Sequence, residues 1–202
     1  PSRPVKPRIR NEKYEQSRLE AIRAAASVFA DKGFHGASTR DIAERLGIKQ
    51  ASLYYYFDSK EEALAEVCLY GIGDYVARMD DIVSGDLAFD AKLMAVVNSH
   101  LSSYREKNEA LKVYNDERLY LPKEKRGELK KRGSHYREML EKLLETEQAG
   151  GRLRANLDCH FAAQSVISIC NGFGELIVRD PDLDIFDLTR KCTDLLLQGI
   201  ST

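Results

Sequence analysis

The chain has 202 residues, 43% of them hydrophobic and 31% charged, with a formal net charge of -1. That size suits one large domain or a small domain joined to a larger one with a substantial core, and the neutral average carries no nucleic-acid signal. The four cysteines, Cys68, Cys159, Cys170 and Cys192, form no C-x-x-C pair; they read as reduced core thiols of a cytoplasmic protein, without a disulfide framework.

The charge is unevenly spread. Residues 1–60 carry 12 Lys/Arg against 7 Asp/Glu, and the remainder carries 19 against 25. A basic start on an acidic remainder fits a DNA-binding head on a body with another task. Proline occurs only at positions 1, 4, 7, 122 and 181, and no long alternating runs suggest strands. The composition therefore predicts an all-α protein of about nine helices. The first ten residues contain no apolar leader segment, and the start at Pro1 has the look of a trimmed end. The longest charge-free run, Phe161 to Gly174, is short for a bilayer span, so no membrane is expected.

In chain order, residues 1–14 form a basic arm with Arg3, Lys6, Arg8, Arg10 and Lys13. It either reaches into a minor groove or serves as a solubilising tail. A helix over about 15–32 carries Leu19, Ile22, Ala26 and Phe29 at helical spacing, with Gly33 at its end. Thr39 is the expected cap of the next helix, which turns Ile42, Ala43 and Leu46 inward and stops at Gly47. Gln50 to Phe57 forms another short helix, and Asp58 or Ser59 caps a longer one, to about 81, bent near Gly71 and Gly73. The remainder reads as helices over about 86–104, 109–121, 123–148, 158–178 and 185–199.

The segment 39–60 has the shape of a helix-turn-helix, in which a second helix enters the DNA major groove. Gly47 supplies the left-handed turn. The second helix begins with Lys49, Gln50, Ala51 and Ser52. Gln50 suits an adenine edge, Lys49 a guanine or a phosphate, and Ala51 and Ser52 are small enough for close approach. Leu53 and Phe57 point to the core, while Tyr54 and Tyr55 offer hydroxyls to phosphates. Thr39, Arg40 and Lys60 flank the unit as phosphate clamps. Three consecutive tyrosines, 54 to 56, diverge by about 100° each and cannot form one stacking platform.

Residues 15–64 resemble the N-terminal domain of the TetR family of bacterial transcriptional regulators. The resemblance lies in Ala25-Ala26-x-x-Phe29, Gly33-Phe34, Thr39-x-x-Ile42-Ala43, Leu46-Gly47-Ile48, Ser52 to Phe57, and Ser59-Lys60-x-x-x-Leu64. Lys49 stands where the family often has Ser or Thr, Tyr56 where His is frequent, and Leu46 where Ala is. Family membership implies double-stranded DNA as partner, with a head over 15–60 and an effector-binding, dimerising body over 61–202. It implies a homodimer through the helices near 158–178 and 185–199, and repression relieved by a small molecule. In that scheme ligand binding moves the helix from 58 to about 81 and changes the spacing of two heads. An effector-independent DNA-binding protein with a structural or cell-division role is the alternative.

The expected effector pocket comprises Phe89, Leu93, Val97, His100, Leu101, Tyr104, Tyr114, Arg118, Tyr136, Leu140, Phe161, Asn171 and Phe173. His100 and Arg118 interrupt apolar stretches and either anchor an anionic ligand or form ordinary salt bridges. The effector is expected to be small and largely apolar; the Glu117 to Pro122 segment and the basic helix after it resemble regulators that sense acyl-CoA thioesters. An enzyme is disfavoured: Cys159 and His160 diverge on a helix and have no third partner. His35, His100, His135 and His160 show no metal spacing, and no cofactor or catalytic residue is assigned.

Overall fold

The computed structural model describes residues 8–201, with side chains from Glu12 onward. Ten α-helices follow one another among these residues: α1 (Arg8–Gly36), α2 (Thr39–Leu46), α3 (Gln50–Leu53), α4 (Lys60–Ile72), α5 (Tyr75–Ser84), α6 (Phe89–Glu106), α7 (Asn108–Glu117), α8 (Lys123–Ala149), α9 (Cys159–Arg179) and α10 (Ile185–Ile200). A 3-10 turn at Arg118–Tyr120 follows α7. The all-α expectation holds. The only extended pairing among the described residues is an isolated bridge between Leu153 and Ser201.

The chain divides into two compact units. Among the described residues, one contains residues 8–71 and 109–126, the other 72–108 and 127–201. The first is therefore larger than the 15–60 head expected from sequence: it includes most of α4 and takes α7 with its 3-10 turn out of the middle of the chain. Residues 1–7 of the basic arm, and the side chains of Arg8 and Arg10, lie outside the described residues. The backbone from Arg8 onward is helical, so α1 starts earlier than expected.

In the first unit, Ile22, Ala26, Phe29, Ile42, Ala43, Leu53, Phe57, Leu64 and Val67 are buried, which is the predicted inward face of four successive helices. Leu19 and Leu46 are only partly covered. Gly33 adopts φ 68° and ψ 168°, breaking the helix before Phe34. Lys112 Nζ donates to Ala30 O at 2.8 Å and so fastens α7 to α1. Phe34 stacks on Tyr120 with centroids 5.8 Å apart. At Gly71 a Cβ would sit 3.2 Å from Ala110 O, so α4 and α7 approach closely there.

In the second unit α6 packs against α5, α9 and α10. Its Phe89, Leu93, Val96, Val97 and Leu101 are buried, as are Leu140, Leu143 and Leu144 of α8. At Gly174 a Cβ would collide with the Tyr104 ring, so this glycine is what admits the tyrosine against α9; a Cβ at Gly172 would meet nothing. The single helix expected over 58–81 is two helices, α4 and α5, separated at Gly73 and Asp74, and the break falls next to the boundary between the units.

Several expected helix starts move. Ser38, not Thr39, caps α2: it is extended, accepts from Asp41 N and completes a capping box with Asp41. Ser59 caps α4 by accepting from Glu62 N at 3.1 Å. The helix expected from about residue 86 begins at Phe89, behind Ala88. Asp158 and Asp184 cap α9 and α10.

With 21 residues and few charges, α9 is long and apolar enough to cross a bilayer by length and composition. The charge-free run therefore does not exclude a span. The burial pattern speaks for a packed helix: Cys159, Ala162, Ala163, Val166, Cys170, Gly174 and Ile177 recur at helical spacing on one face.

Candidate nucleic-acid interface and effector region

The DNA-facing geometry starts at the α2 capping box. Asp41 accepts from Ser38 N at 2.8 Å and from Lys32 Nζ at 2.6 Å. The Lys32 ammonium and then the Ser38 hydroxyl and N–H hold the Asp41 carboxyl well below the usual carboxylate range, so the box stays charged and neutralised by Lys32. Arg45 ties α2 to α1 through Asp31 at 2.8 Å and through Ser27. Gly47 turns left-handed at φ 74°, and Ile48 N returns to Ala43 O at 3.0 Å.

Helix α3 is shorter than expected. Regular α-helix covers only Gln50–Leu53, after which Tyr55 N bonds Ser52 O and Tyr56 N bonds Leu53 O in tighter i to i+3 turns. Lys49 sits at its N-cap without a side-chain cap bond. Leu53 and Phe57, each 2% exposed, anchor this element. Above them Lys49, Gln50 and Ala51 are exposed and Ser52 is half-buried, while Tyr54 and Tyr55 are 53% and 80% exposed. Tyr14 braces the far end: its hydroxyl donates to Tyr55 O at 3.4 Å and its ring stacks on Tyr56 at 6.3 Å. Gln50 Nε2 donates to Thr39 Oγ1 at 3.0 Å, and Arg40 pairs with Glu44 at 2.9 Å on the exposed face of α2.

Lys60 departs from its expected role. Its Nζ donates to Phe34 O at 2.9 Å and Ala37 O at 3.0 Å, and lies 4.3 Å from the Phe34 ring centroid. Carbonyls at the end of α1 attract a cation, so Lys60 is a strut beneath the α1–α2 connection and not the free phosphate clamp expected from its place at the start of α4.

The second unit holds a polar cluster in which His100, Tyr104 and Tyr136 are buried and Asn171 is exposed. His100, 3% exposed, places Nε2 at 2.9 Å from Asn171 Oδ1 and Nδ1 at 3.3 Å from the Tyr136 hydroxyl. The Tyr104 hydroxyl donates to the same Asn171 oxygen at 3.0 Å. Tyr75 stacks on His100 at 4.8 Å. Burial lowers the His100 pKa to about 4, against the opposing hydrogen bond to Asn171, and burial raises the phenols of Tyr75 and Tyr136 above their ordinary values. A neutral His100 that donates from Nε2 must accept at Nδ1, which assigns the Tyr136 proton to that bond. Arg78 donates to Ser103 Oγ at 2.6 Å, yet its Nε is buried without a partner, and the Tyr75 hydroxyl has no well-formed hydrogen bond. Nearby on the same unit an open cleft of about 570 Å³ is bounded by Asp80 and Val83 of α5, Lys92 of α6, and His135, Met139 and Lys142 of α8.

The outer faces of α9 and α10 carry apolar side chains in solvent. Phe161, Leu176, Phe186 and Leu195 are 71%, 46%, 69% and 62% exposed, and only 33% of the most apolar window of α9 is buried.

Comparison with known proteins places this architecture. Residues 21–67 match the model of the bacterial regulatory proteins of the tetR family, and residues 86–200 match the tetracyclin repressor-like C-terminal domain. The chain belongs to the TetR family. It is a DNA-binding transcriptional regulator, similar over 146 residues at 31% identity to the transcriptional repressor KstR2 of Rhodococcus jostii, with 72% of each chain covered. It is 24% identical to the fatty acid metabolism regulator protein of Bacillus subtilis over 90% of this chain and 94% of that one. Among solved structures, PfmR of Thermus thermophilus superposes with a TM-score of 0.80 at 25% identity, covering 90% and 99% of the two chains. FadR of Bacillus subtilis, solved with stearoyl-CoA, superposes at 0.76 and 24% identity over 90% and 98%.

In this TetR-family regulator, Lys49, Gln50, Ala51, Tyr54, Tyr55 and Arg40 are each exposed and Thr39 is half-buried, with Gln50 meeting Thr39. Tyr14 and Lys32 were missed. Tyr14 lay in the segment expected to be an arm, and Lys32 acts only through a fold-made contact with Asp41. Of the expected effector residues, His100, Tyr104, Tyr136 and Asn171 come together. Phe161 does not join them: it is exposed at the start of α9. Tyr114 and Arg118 belong to the other compact unit, where the Arg118 guanidinium bonds Tyr114 O at 3.0 Å and lies 5.1 Å from the Tyr114 ring. None of the thirteen borders the 570 Å³ cleft.

Proposed function

We propose that this chain is a homodimeric repressor, acting in the cytoplasm, that leaves a pseudo-palindromic operator when a largely apolar effector binds its second unit. The observation that carries the reading is the α3 surface, where exposed polar and aromatic side chains stand on the buried pair Leu53 and Phe57. Lys49, Gln50, Ala51 and Ser52 read bases, while Thr39, Arg40, Tyr54 and Tyr55 hold phosphates. Dimerisation through α9 and α10 is supported by Phe161, Leu176, Phe186 and Leu195, which stand in solvent in the single chain. Two-fold symmetry then presents two copies of α3 to successive major grooves, roughly 34–36 Å apart.

The effector site lies within the second unit. Phe89, Leu93, Val97, Leu101, Leu140 and Phe173 supply apolar walls, and the cluster of His100, Tyr104, Tyr136 and Asn171 supplies polar anchors. Acyl-CoA thioesters are the proposed class. Support comes from the Bacillus subtilis structure solved with stearoyl-CoA and from the fatty acid metabolism regulator to which the chain is similar. The unpartnered Arg78 Nε, whose guanidinium lies 5.9 Å from the Tyr75 ring beside the His100 cluster, favours an effector-responsive body over an effector-independent one; the 570 Å³ cleft shares no residue with the site and is a separate opening on the same unit.

Binding to duplexes selected from a random-sequence pool, with and without stearoyl-CoA, tests this reading. A sequence-specific complex that dissociates with the thioester supports it. Equal affinity for all duplexes, or a complex indifferent to the thioester, overturns the corresponding half. A monomer in sedimentation at micromolar concentration, or no loss of dimer in Leu195→Asp, removes the proposed interface.

A further inference from the structure

We propose that Thr39 is a positioning residue for base reading, holding the Gln50 amide in the orientation that matches an adenine edge. The inference rests on the assignment of Gln50 as a base reader. The two side chains are eleven positions apart and come from different helices, yet Gln50 Nε2 donates to Thr39 Oγ1 at 3.0 Å. Both stand on anchored elements. Thr39 lies within the Ser38–Asp41 capping box, which Lys32 ties to α1. Gln50 opens α3, whose Leu53 is buried.

The proton inventory gives this contact its meaning. A glutamine amide has two N–H donors at one end and an acceptor at the other, and an untethered one turns over freely. Adenine presents an acceptor at N7 and a donor at N6, so a bidentate fit takes one N–H and the amide oxygen together. The second N–H is left over, and it is the one Thr39 receives. A threonine hydroxyl both donates and accepts, so by itself it would tolerate either amide orientation. Once its own proton goes to a phosphate oxygen, only its lone pairs remain for Gln50, and the amide must turn an N–H towards it. Backbone contact through Thr39 thereby sets which end of Gln50 faces the base. Against guanine, whose N7 and O6 are both acceptors, the same orientation sets the amide oxygen against O6 with no proton between them.

The test uses the full chain and a duplex selected from a random-sequence pool, together with versions carrying adenine-to-guanine changes at each position of a half-site. The wild type is expected to prefer adenine over guanine roughly tenfold or more at one position, and Gln50→Ala to abolish that preference. Thr39→Ser keeps the hydroxyl and keeps the preference. Thr39→Val is expected to narrow it to roughly threefold, because the freed amide turns over, and to lower the salt dependence by about one phosphate contact. Combining Thr39→Val with Gln50→Ala should leave the same lack of preference as Gln50→Ala alone. If Thr39→Val weakens every duplex by the same factor and leaves the preference intact, Thr39 only holds backbone and the inference is overturned. If Gln50→Ala itself keeps the preference, the base-reading assignment falls first, and the two failures are told apart.

Discussion

On α3, Lys49, Gln50 and Ala51 stand in solvent above Leu53 and Phe57; on α6, His100 and Tyr104 are drawn inward, to 3% exposure each, and bonded to Asn171 and Tyr136. The first arrangement keeps polar groups hydrated until a partner displaces the water. The second desolvates them during folding and makes each depend on a side chain from another helix. A substitution on the exposed surface should therefore change what is bound and leave stability nearly unchanged, whereas one at the buried His100 or Tyr104 should change stability first.

The largest test removes the base of the exposed surface. Phe57→Ala deletes a ring that is 2% exposed and is expected to cost about 3–5 kcal/mol, with sequence-specific DNA binding lost; a melt within a degree of the wild type would show that α3 does not rest on it. Next comes acid. The folded His100 pKa of about 4 lies below its ordinary 6.5, so between those values the unfolded chain binds the extra proton. Stability should thus be full above about pH 6.5 and fall by roughly 3 kcal/mol as pH drops towards 4. Comparing denaturant midpoints of wild type and His100→Gln across that window isolates the contribution. Asp41 overlaps this window only at its acid end, because the stability from its depressed pKa begins to be lost as pH falls into the ordinary carboxylate range and continues to be lost below it.

Gly174→Ala should cost about 1–3 kcal/mol by forcing a methyl against the Tyr104 ring, whereas Gly172→Ala, in open space within α9, should gain about 0.5–1 kcal/mol; equal midpoints for the two variants would contradict the close approach. Lys60→Met removes the bonds to Phe34 O and Ala37 O and should cost about 1–2 kcal/mol, weakening binding to all duplexes alike. A salt slope lowered by about one with stability intact would restore Lys60 as a phosphate contact. The smallest effect is expected for Tyr14→Phe, which loses one exposed 3.4 Å bond while keeping the stack on Tyr56, within about 0.5 kcal/mol.

The same contrast explains how much could be read in advance. The α2–α3 unit was legible because its information is local: the apolar spacing of Ile42, Ala43, Leu53 and Phe57 and the left-handed turn at Gly47 are contiguous signals. The body resisted because its site joins residues as far apart as His100 and Asn171. Phe161 and Leu195 have the composition of core residues, and nothing within one helix says that the side of α9 or α10 carrying them faces solvent.

Periodicity and turn chemistry alone determined the helical class, the inward faces of α1, α4, α6 and α8, and the exposed start of α3, since each depends on residues a few positions apart. Tertiary structure alone decided that Lys60 bonds carbonyls at the end of α1 and that Gln50 meets Thr39. It also decided that α7 joins the first compact unit. These are pairings between groups distant in sequence, and a hydrogen bond or a buried ring is specified only when the fold brings both partners within a few ångströms.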